Sequence, residues 1–183
     1  MIAFTPMKTP FVAFAMAVSL GSPAGAAVKE THENSFTIEA MVTATRPPAL
    51  VYRDLVRVAL WWDPAHTWSG SARNLRIEAR AGGCFCERLP GGGSVEHARI
   101  VFAQPGKQLR MVGAFGPLQE MAVVGVLTFK LEPEASGTRI TMTYRLSGAL
   151  TLESTKLAPA VDQVMVGQLA RLASMASGRP IGP

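Results

Sequence analysis

Two cysteines and a histidine in a short glycine-rich stretch have the clearest capacity for chemistry in this chain. In GGCFCERLPGGGSVEH, residues 82–97, Cys84 and Cys86 are two positions apart and His97 follows a turn. On a strand, residues 84 and 86 share one face, and one pairing of the two strands would set Cys86 opposite His97. Two thiolates and an imidazole are ligands that zinc and copper(I) accept. The stretch therefore offers three metal ligands, with His66 as a conceivable fourth.

The same cysteines have two other interpretations. An oxidising compartment favours a disulfide between Cys84 and Cys86, although their Cα atoms, ~6.6 Å apart on an extended strand, are near the upper limit for bridging. Redox catalysis is disfavoured, because the attacking thiol of a redox motif normally lies at a helix N-terminus. The sequence favours the plainest interpretation, two small polarizable side chains packed on a strand. We therefore expect no resident metal or cofactor.

An acid/base enzyme would have to use scattered groups. The chain has no nucleophile elbow, no zinc-protease motif, no phosphate loop and no dinucleotide-binding fingerprint. His66 and His97 are the candidate acid/base residues, and Asp63 and Glu87 are the carboxylates that could orient them. The interpretation we favour for each histidine is a solvated residue, His66 on a loop and His97 on a strand.

Three tryptophans within eight residues bring more apolar area than a turn needs. We expect Trp62 to seal one end of the core, whereas Trp61 and Trp68 suit the rim of a cavity for an amphipathic ligand. The walls of that cavity are predicted to be large apolar side chains, although side chains of this kind are more often core than pocket: Phe85, Phe102, Met111, Phe129, Met142, Tyr144 and Met165.

Hydrophobic periodicity predicts the elements that position these residues. Alternation over residues 35–43 indicates a strand, and Pro47 and Pro48 suit the first turn of a helix that continues to about Leu60. From residue 74 to 149, alternating segments separated by turn residues predict a meander of six further antiparallel strands. Apolar residues then recur at helical spacing over residues 154–177.

That last helix would be ~30 Å long, and its apolar stripe needs the apolar face of the sheet as a partner. The predicted fold class is therefore α+β, with a seven-stranded antiparallel sheet wrapped around a long C-terminal helix. We expect a single domain over residues 35–177, preceded by a frayed linker at 27–34 and followed by a tail at 178–183.

The first 26 residues predict a secretory signal. Lys8 precedes an apolar run from Phe11 to Leu20, which is too short to cross a bilayer at ~20 residues. The small residues 24–26 suit signal-peptidase cleavage. We expect a periplasmic or secreted protein with no stable membrane insertion after cleavage; the alternative is an N-terminal membrane anchor.

Composition limits the partners. Hydrophobic residues make up 48% of the chain and charged residues 17%, which is typical of a globular core rather than of a disordered chain. The net charge is +5, but the basic residues are scattered singly and form no long run. We therefore expect no nucleic-acid partner, and the sequence leaves the oligomeric state open.

The order of elements and the residues at their joints resemble the START/SRPBCC superfamily. Within it, the chain is similar to the branch of the activator of the heat-shock-protein ATPase and the polyketide cyclases. Departures from that branch occur at Cys84, Cys86 and residues 116–119. The residues that carry the resemblance are Pro48, Val51, Tyr52, Leu55, Trp62, Gly82, Gly83, Phe85, Glu87, Val95, Pro105, Leu109 and the strand TRITMTYR at 138–145.

The resemblance implies a helix-grip fold that encloses a hydrophobic cavity, and it implies the fold more firmly than a function. The chaperone role fits poorly, because an exported chain would not meet a cytosolic ATPase. We favour a protein that binds a small hydrophobic or amphipathic molecule, such as a lipid, between the sheet and the C-terminal helix. The alternatives are a cyclase-like or hydrolase-like acid/base enzyme that uses His66 or His97, and a protein-interaction module that uses the sheet edges.

Overall fold

An open antiparallel sheet of eight strands and a long C-terminal helix form the α+β architecture of residues 28–181, the part of the chain that the computed structural model describes. The predicted signal segment and the last two residues of the predicted tail lie outside the described residues. Two α-helices accompany the sheet, α1 (Pro48–Val56) and α2 (Ser154–Ala176). The strands are β1 (Val28–His32), β2 (Ser35–Ala44), β3 (Leu75–Ile77), β4 (Cys84–Arg88), β5 (Ser94–Gln104), β6 (Gln108–Val112), β7 (Ala122–Glu134) and β8 (Gly137–Ala149).

The strand order across the sheet is β1-β2-β8-β7-β6-β5-β4-β3. Strands β3 to β8 form the expected meander, in which each strand pairs with the next. The chain segment that contains α1 connects β2, near one edge, to β3 at the other edge. It therefore spans the sheet and carries the three tryptophans with it.

The sheet has eight strands rather than the predicted seven, because residues 28–32 form β1 instead of a frayed linker. This strand pairs with β2, and Lys29 Nζ donates to Glu39 Oε1 at 2.8 Å. At its end, the His32 carbonyl accepts a hydrogen bond from Ser154 Oγ at the start of α2. All its residues except the half-buried Val28 are exposed, so the strand has no hydrophobic alternation by which the sequence could reveal it.

The core lies between the sheet and α2, as the periodicity predicted. On β8, Ile140, Met142, Tyr144 and Leu146 are all buried, opposite the buried Phe36, Ile38 and Ala40 of β2. The buried stripe of α2 packs mainly against β2, β1 and α1. It consists of Ala158, Asp162, Met165, Leu169, Leu172 and Ala176.

The predicted first helix is too long. α1 ends at Val56 and is followed by a separate 3-10 turn, Val58–Leu60. The turn carries the chain into the segment from Trp61 to Trp68, called the tryptophan segment below. Of the helices in the described part of the chain, none combines the length and the apolar character that a membrane span requires.

Candidate functional site

A cavity of about 480 Å³ lies beside the first half of α2, a volume within the usual range for small-molecule sites. Three segments surround it: the tryptophan segment, the start of α2, and the connection from β6 to β7, which contains the 3-10 turn Gly116–Glu120. His97 of β5 completes the wall. The lining residues are Trp62, Ala65, His66, Thr67, Trp68, His97, Phe115, Gly116, Pro117, Leu118, Met121, Leu157, Ala160, Val161, Val164 and Met165.

The cavity opens to solvent at a mouth formed by its exposed lining residues, Ala65, His66, Trp68, Pro117 and Ala160. Trp68 is 49% exposed, so its indole contributes apolar surface to the rim. Deeper in, buried or half-buried apolar side chains of α2 and of the β6–β7 connection form most of the wall. This gradient from an exposed indole to an apolar interior suits an amphipathic or apolar guest.

The two neighbouring tryptophans have roles opposite to those expected. Trp61 is the one that seals the core: it is fully buried, and its Nε1 donates to the carbonyls of Asp54 and Leu55. Trp62 lines the cavity, and its Nε1 donates to the His66 carbonyl at 3.0 Å. The irregular backbone after α1 determines which indole faces the cavity, and residue type alone carries no information about it.

Of the ten residues predicted to contact a ligand, Trp62, Trp68 and Met165 line the cavity. Phe85 lies behind its wall, with its ring in contact with Trp62. The prediction that Phe102 lines the cavity is wrong, because its side chain is 40% exposed and lies under the guanidinium of Arg110. The others are core residues rather than lining residues: Trp61, Met111, Phe129, Met142 and Tyr144.

A register shift in β5 explains why the side chain of Phe102 is exposed. Strand β5 pairs with β6 in one register at Ile100 and in another at Phe102, which is the signature of a bulge that reverses the inside-outside alternation. Ile100 is buried, so uninterrupted alternation would have placed Phe102 inside as well. No glycine or proline marks the shift in the sequence.

The residues that sequence reasoning missed lie on the β6–β7 connection and on α2. Phe115, Leu118 and Met121 line the cavity, whereas the sequence pattern predicts only that Gly116 and Pro117 introduce the next strand. The signal in the sequence was the pair Gly116 and Pro117: Gly116 adopts a φ of 55°, and Pro117 is the second residue of the 3-10 turn. Leu157 and Val161 belong to the predicted apolar stripe, but they face the cavity rather than the sheet.

His97 and Glu87 form a hydrogen-bonded pair at the cavity wall. Nε2 of His97 lies 2.9 Å from Oε2 of Glu87, and the two residues are 5% and 0% exposed. His97 is therefore buried, which corrects its interpretation as a solvated strand residue. Its ring lies nearly parallel to that of Phe115, with centroids 6.4 Å apart.

Glu87 also holds the tryptophan segment. Its Oε1 accepts the backbone N–H of Ser69 at 2.6 Å, and its Oε2 accepts that of Trp68 at 3.1 Å. Burial raises the pKa of this carboxyl, but the hydrogen bonds from Ser69, Trp68 and His97 outweigh burial and leave the pKa below its usual value. Glu87 is thus a buried, ionised carboxylate in contact with His97 of the cavity wall.

The pKa of His97 is lowered, because burial disfavours the imidazolium and the hydrogen bond and charge of Glu87 offset burial only in part. The neutral ring is therefore the dominant form at neutral pH. A neutral imidazole fixed by a carboxylate can accept a proton or a hydrogen bond from a bound molecule.

Cys84 and Cys86 form a disulfide, with their Cα atoms 5.4 Å apart. They lie on the face of β4 opposite Phe85 and Glu87, and Arg76 Nη2 contacts Cys84 Sγ at 3.8 Å. The proposed partnership with His97 is wrong, because a register shift after Phe85 places Glu96 opposite Cys86. Within residues 28–181, no three His, Cys, Asp or Glu side chains are grouped as a metal site.

His66 is exposed at the mouth. Asp63 does not orient it, because Asp63 Oδ1 accepts the backbone N–H of Ala65 and so caps the short turn. His66 also borders a second, polar groove along the outer side of α2, which includes Gln168 and Arg171. Of the two candidate acid/base histidines, only His97 has a carboxylate partner among the described residues.

No protein-family model and no curated protein matches this sequence. Solved structures do match. An uncharacterized protein from Rhizobium leguminosarum superposes with a TM-score of 0.58 at 15% identity, covering 79% of this chain and 96% of its own. The Mll3558 protein from Rhizobium loti gives 0.54 at 23% identity, covering 76% and 94%. CalU16 from Micromonospora echinospora gives 0.54 at 16% identity, covering 80% and 77%. At these identities the likeness shows a shared fold and no shared activity.

Proposed function

We propose that this chain is an exported, START/SRPBCC-like protein of the helix-grip type, which binds a small hydrophobic or amphipathic molecule between its sheet and α2. One observation carries the proposal: the 480 Å³ cavity whose interior is lined almost entirely by apolar side chains. A ligand that covers the apolar surface of this cavity removes that surface from water and gains the hydrophobic free energy.

The construction of the mouth supports a guest that enters from solvent. The tryptophan segment is a connection rather than part of the sheet, and Trp68 remains half exposed. Large apolar side chains exposed beside a cavity are typical of binding sites. A lipid or another small apolar molecule fits this description, and neither metal nor cofactor is required.

A blocking variant tests the proposal. Val161 is half-buried and lines the cavity, so Val161→Phe should fill part of it. Gln163→Phe is the matched control, because Gln163 is exposed on the same helix and lies outside the cavity lining. The probe is N-phenyl-1-naphthylamine, a neutral dye that fluoresces in apolar sites.

We expect the native chain and Gln163→Phe to bind the dye with similar affinity, and Val161→Phe to bind it at least about tenfold more weakly. Native mass spectrometry of protein purified from a bacterial periplasm should also show a co-purified lipid-like mass. Equal dye binding by all three proteins, with no bound mass, would contradict the proposal.

Export has its own test. Expression of residues 1–183 in a bacterium, followed by fractionation and terminal peptide mass spectrometry, should recover a periplasmic chain that begins at Ala27. A full-length chain in the membrane fraction would favour the anchor.

The second candidate function is an acid/base enzyme acting on an apolar substrate, and the His97–Glu87 pair favours it. The pair has the arrangement of a general base oriented by a carboxylate. Incubation of the co-purified compound with fresh protein distinguishes the two functions. A change in the compound's mass that is lost in His97→Asn would indicate catalysis, whereas an unchanged compound would indicate binding alone.

A further inference from the structure

The hydrogen bonds of Glu87 determine which nitrogen of His97 carries the proton. Glu87 is ionised, and a carboxylate only accepts hydrogen bonds. Nε2 of His97, 2.9 Å from Oε2, must therefore be the N–H. In a neutral imidazole the other nitrogen, Nδ1, then carries a lone pair and can only accept.

Nδ1 is the ring nitrogen of His97 that has no hydrogen-bond partner among the described residues. No described residue donates to it, since the single hydrogen bond of the His97 ring is the one from Nε2. Within residues 28–181, the only side-chain nitrogen or oxygen atoms buried without a partner are Tyr52 Oη and Asp162 Oδ1. Nδ1 is therefore accessible, and the space that His97 borders is the cavity.

The other polar side chains of the cavity are occupied or lie at the mouth. Trp62 Nε1 donates to the His66 carbonyl, and Thr67 Oγ1 donates to the Pro64 carbonyl at 2.8 Å. His66 and Trp68 are exposed at the mouth. Among the side-chain nitrogen and oxygen atoms of the described lining residues away from the mouth, Nδ1 alone makes no hydrogen bond, and it is an acceptor held in a fixed direction.

We propose that the ligand of this cavity is a neutral alcohol or phenol, an otherwise apolar body with one hydroxyl that donates to Nδ1 of His97. This inference rests on the proposed function, since it names the class of molecule that the same cavity binds. The hydroxyl supplies the donor that Nδ1 lacks, and the apolar body covers the aromatic wall formed by Trp62 and Phe115. An anion fits poorly, because it would bring a second negative charge towards Glu87 inside an apolar wall.

Matched naphthalene probes test the hydroxyl. 2-Naphthol has a donor, 2-methoxynaphthalene keeps the oxygen but lacks the donor, and 2-naphthoate carries a charge. We expect the native protein to bind 2-naphthol about fivefold to tenfold more tightly than 2-methoxynaphthalene, and 2-naphthoate most weakly. His97→Phe keeps an aromatic ring against Phe115 but has no acceptor. This variant should bind 2-naphthol and 2-methoxynaphthalene with about equal affinity.

The binding results distinguish a failure of the alcohol proposal from a failure of the proposed function. If both neutral probes bind equally to the native protein, or if 2-naphthoate binds best, the alcohol proposal is wrong while the cavity still binds ligands. If none of the probes binds and the dye above does not bind either, the proposed function fails, and this inference fails with it.

A measurement on the native chain decides the question even if His97→Phe does not fold. Because the pKa of His97 is lowered from its usual 6.5, the pH is reduced below that value until NMR of the ring shows that Nδ1 is protonated. Protonation removes the acceptor, so affinity for 2-naphthol should then fall severalfold while that for 2-methoxynaphthalene stays constant. The titratable groups that face His97 are Glu87 on β4 and His66 across the cavity; α2 and the Gly116–Glu120 turn contribute no titratable lining residue. His66→Ala should keep this pH dependence, and its loss there would overturn the assignment to His97.

Discussion

The backbone N–H of Asp63 donates a 2.9 Å hydrogen bond to the side-chain oxygen of Gln168. This bond joins the tryptophan segment to the middle of α2, at a glutamine that is only 2% exposed. Nearby, Arg171 Nε donates to the Trp61 carbonyl at 2.9 Å. Two polar side chains of α2 thereby fix the backbone that carries the cavity mouth.

Replacing Gln168 with alanine should leave the Asp63 N–H without its partner. Loss of a partly buried hydrogen bond costs about 1–2 kcal/mol, so the free energy of unfolding should fall by about that amount. Urea unfolding monitored by tryptophan fluorescence measures it. Gln163→Ala is the control on the exposed side of the same helix. An equal loss of unfolding free energy in both variants would show that the Asp63–Gln168 hydrogen bond makes no specific contribution.

Asp162 should make the protein less stable at neutral pH than an asparagine would. Its side chain lies in the buried stripe of α2 with Oδ1 unpartnered, and burial raises the pKa of this carboxyl above the usual 3.8. A raised pKa means that the group's contribution to stability is fully present below pH 3.8 and is lost as the pH rises through the folded-state value.

Asp162→Asn removes that loss. The stability of the variant relative to the native chain should increase as the pH rises from 4 to 7, as measured by urea unfolding at the two pH values. A stability difference that does not change with pH would show that Asp162 is not titrating in the expected direction.

The disulfide should contribute little to stability. The ring closed by Cys84 and Cys86 spans a sequence separation of only 2, and in the chain-entropy account such a small loop contributes no more than about 1–2 kcal/mol. The Cys84→Ala/Cys86→Ala double variant should therefore unfold at a slightly lower urea concentration. Reduction of the native chain should have a similar effect.

Ligand binding should survive that change, because the disulfide is on the face of β4 opposite Glu87. The dye titration described above provides the measurement. A double variant that remained folded and lost dye binding would show that the outer face of β4 controls the cavity.

Two glycines should respond to alanine in opposite ways. A Cβ on Gly125 would lie 2.4 Å from both the Gly113 carbonyl oxygen and the Tyr144 hydroxyl, so Gly125→Ala should destabilise the fold by about 1–3 kcal/mol. A Cβ on Gly167 meets nothing within 4 Å, so Gly167→Ala in the middle of α2 should stabilise it by up to about 1 kcal/mol. Thermal unfolding of the pair checks both signs, and a loss of stability in Gly167→Ala would contradict the open space at that position.

Long uninterrupted patterns were predictable from the sequence. The alternation of β8 continues over many residues in one register, so its buried face follows directly from residue order. The helical period of α2 predicts the helix itself, although Leu157 and Val161 of the predicted stripe line the cavity. These two elements alone establish an α+β layer arrangement. β1 was not predictable, because backbone pairing holds it and nearly all its side chains are exposed.

The site was less predictable because two register shifts, each with its extra residue in β5, change which side chains of β5 face inward without any glycine or proline to mark them. One bulge moves Phe102 outside, and the other separates His97 from Cys86 and leaves it beside Glu87. The tryptophans present the same difficulty in an irregular segment: neighbouring indoles differ in role through backbone direction alone. Periodicity identifies faces only as far as the register continues.

The carboxylate of Glu87 fastens the rim backbone at Trp68 and Ser69 and also sets the tautomer of His97. Glu87 should therefore be kept when this pocket is redesigned for a new ligand. A substitution at position 87 would release the backbone at the cavity mouth and would also no longer fix Nδ1 of His97 as an acceptor. Substitutions that alter ligand specificity are better made at Met121, Leu157 and Val161. Their side chains shape the cavity but fix neither the backbone of the mouth nor the tautomer of His97.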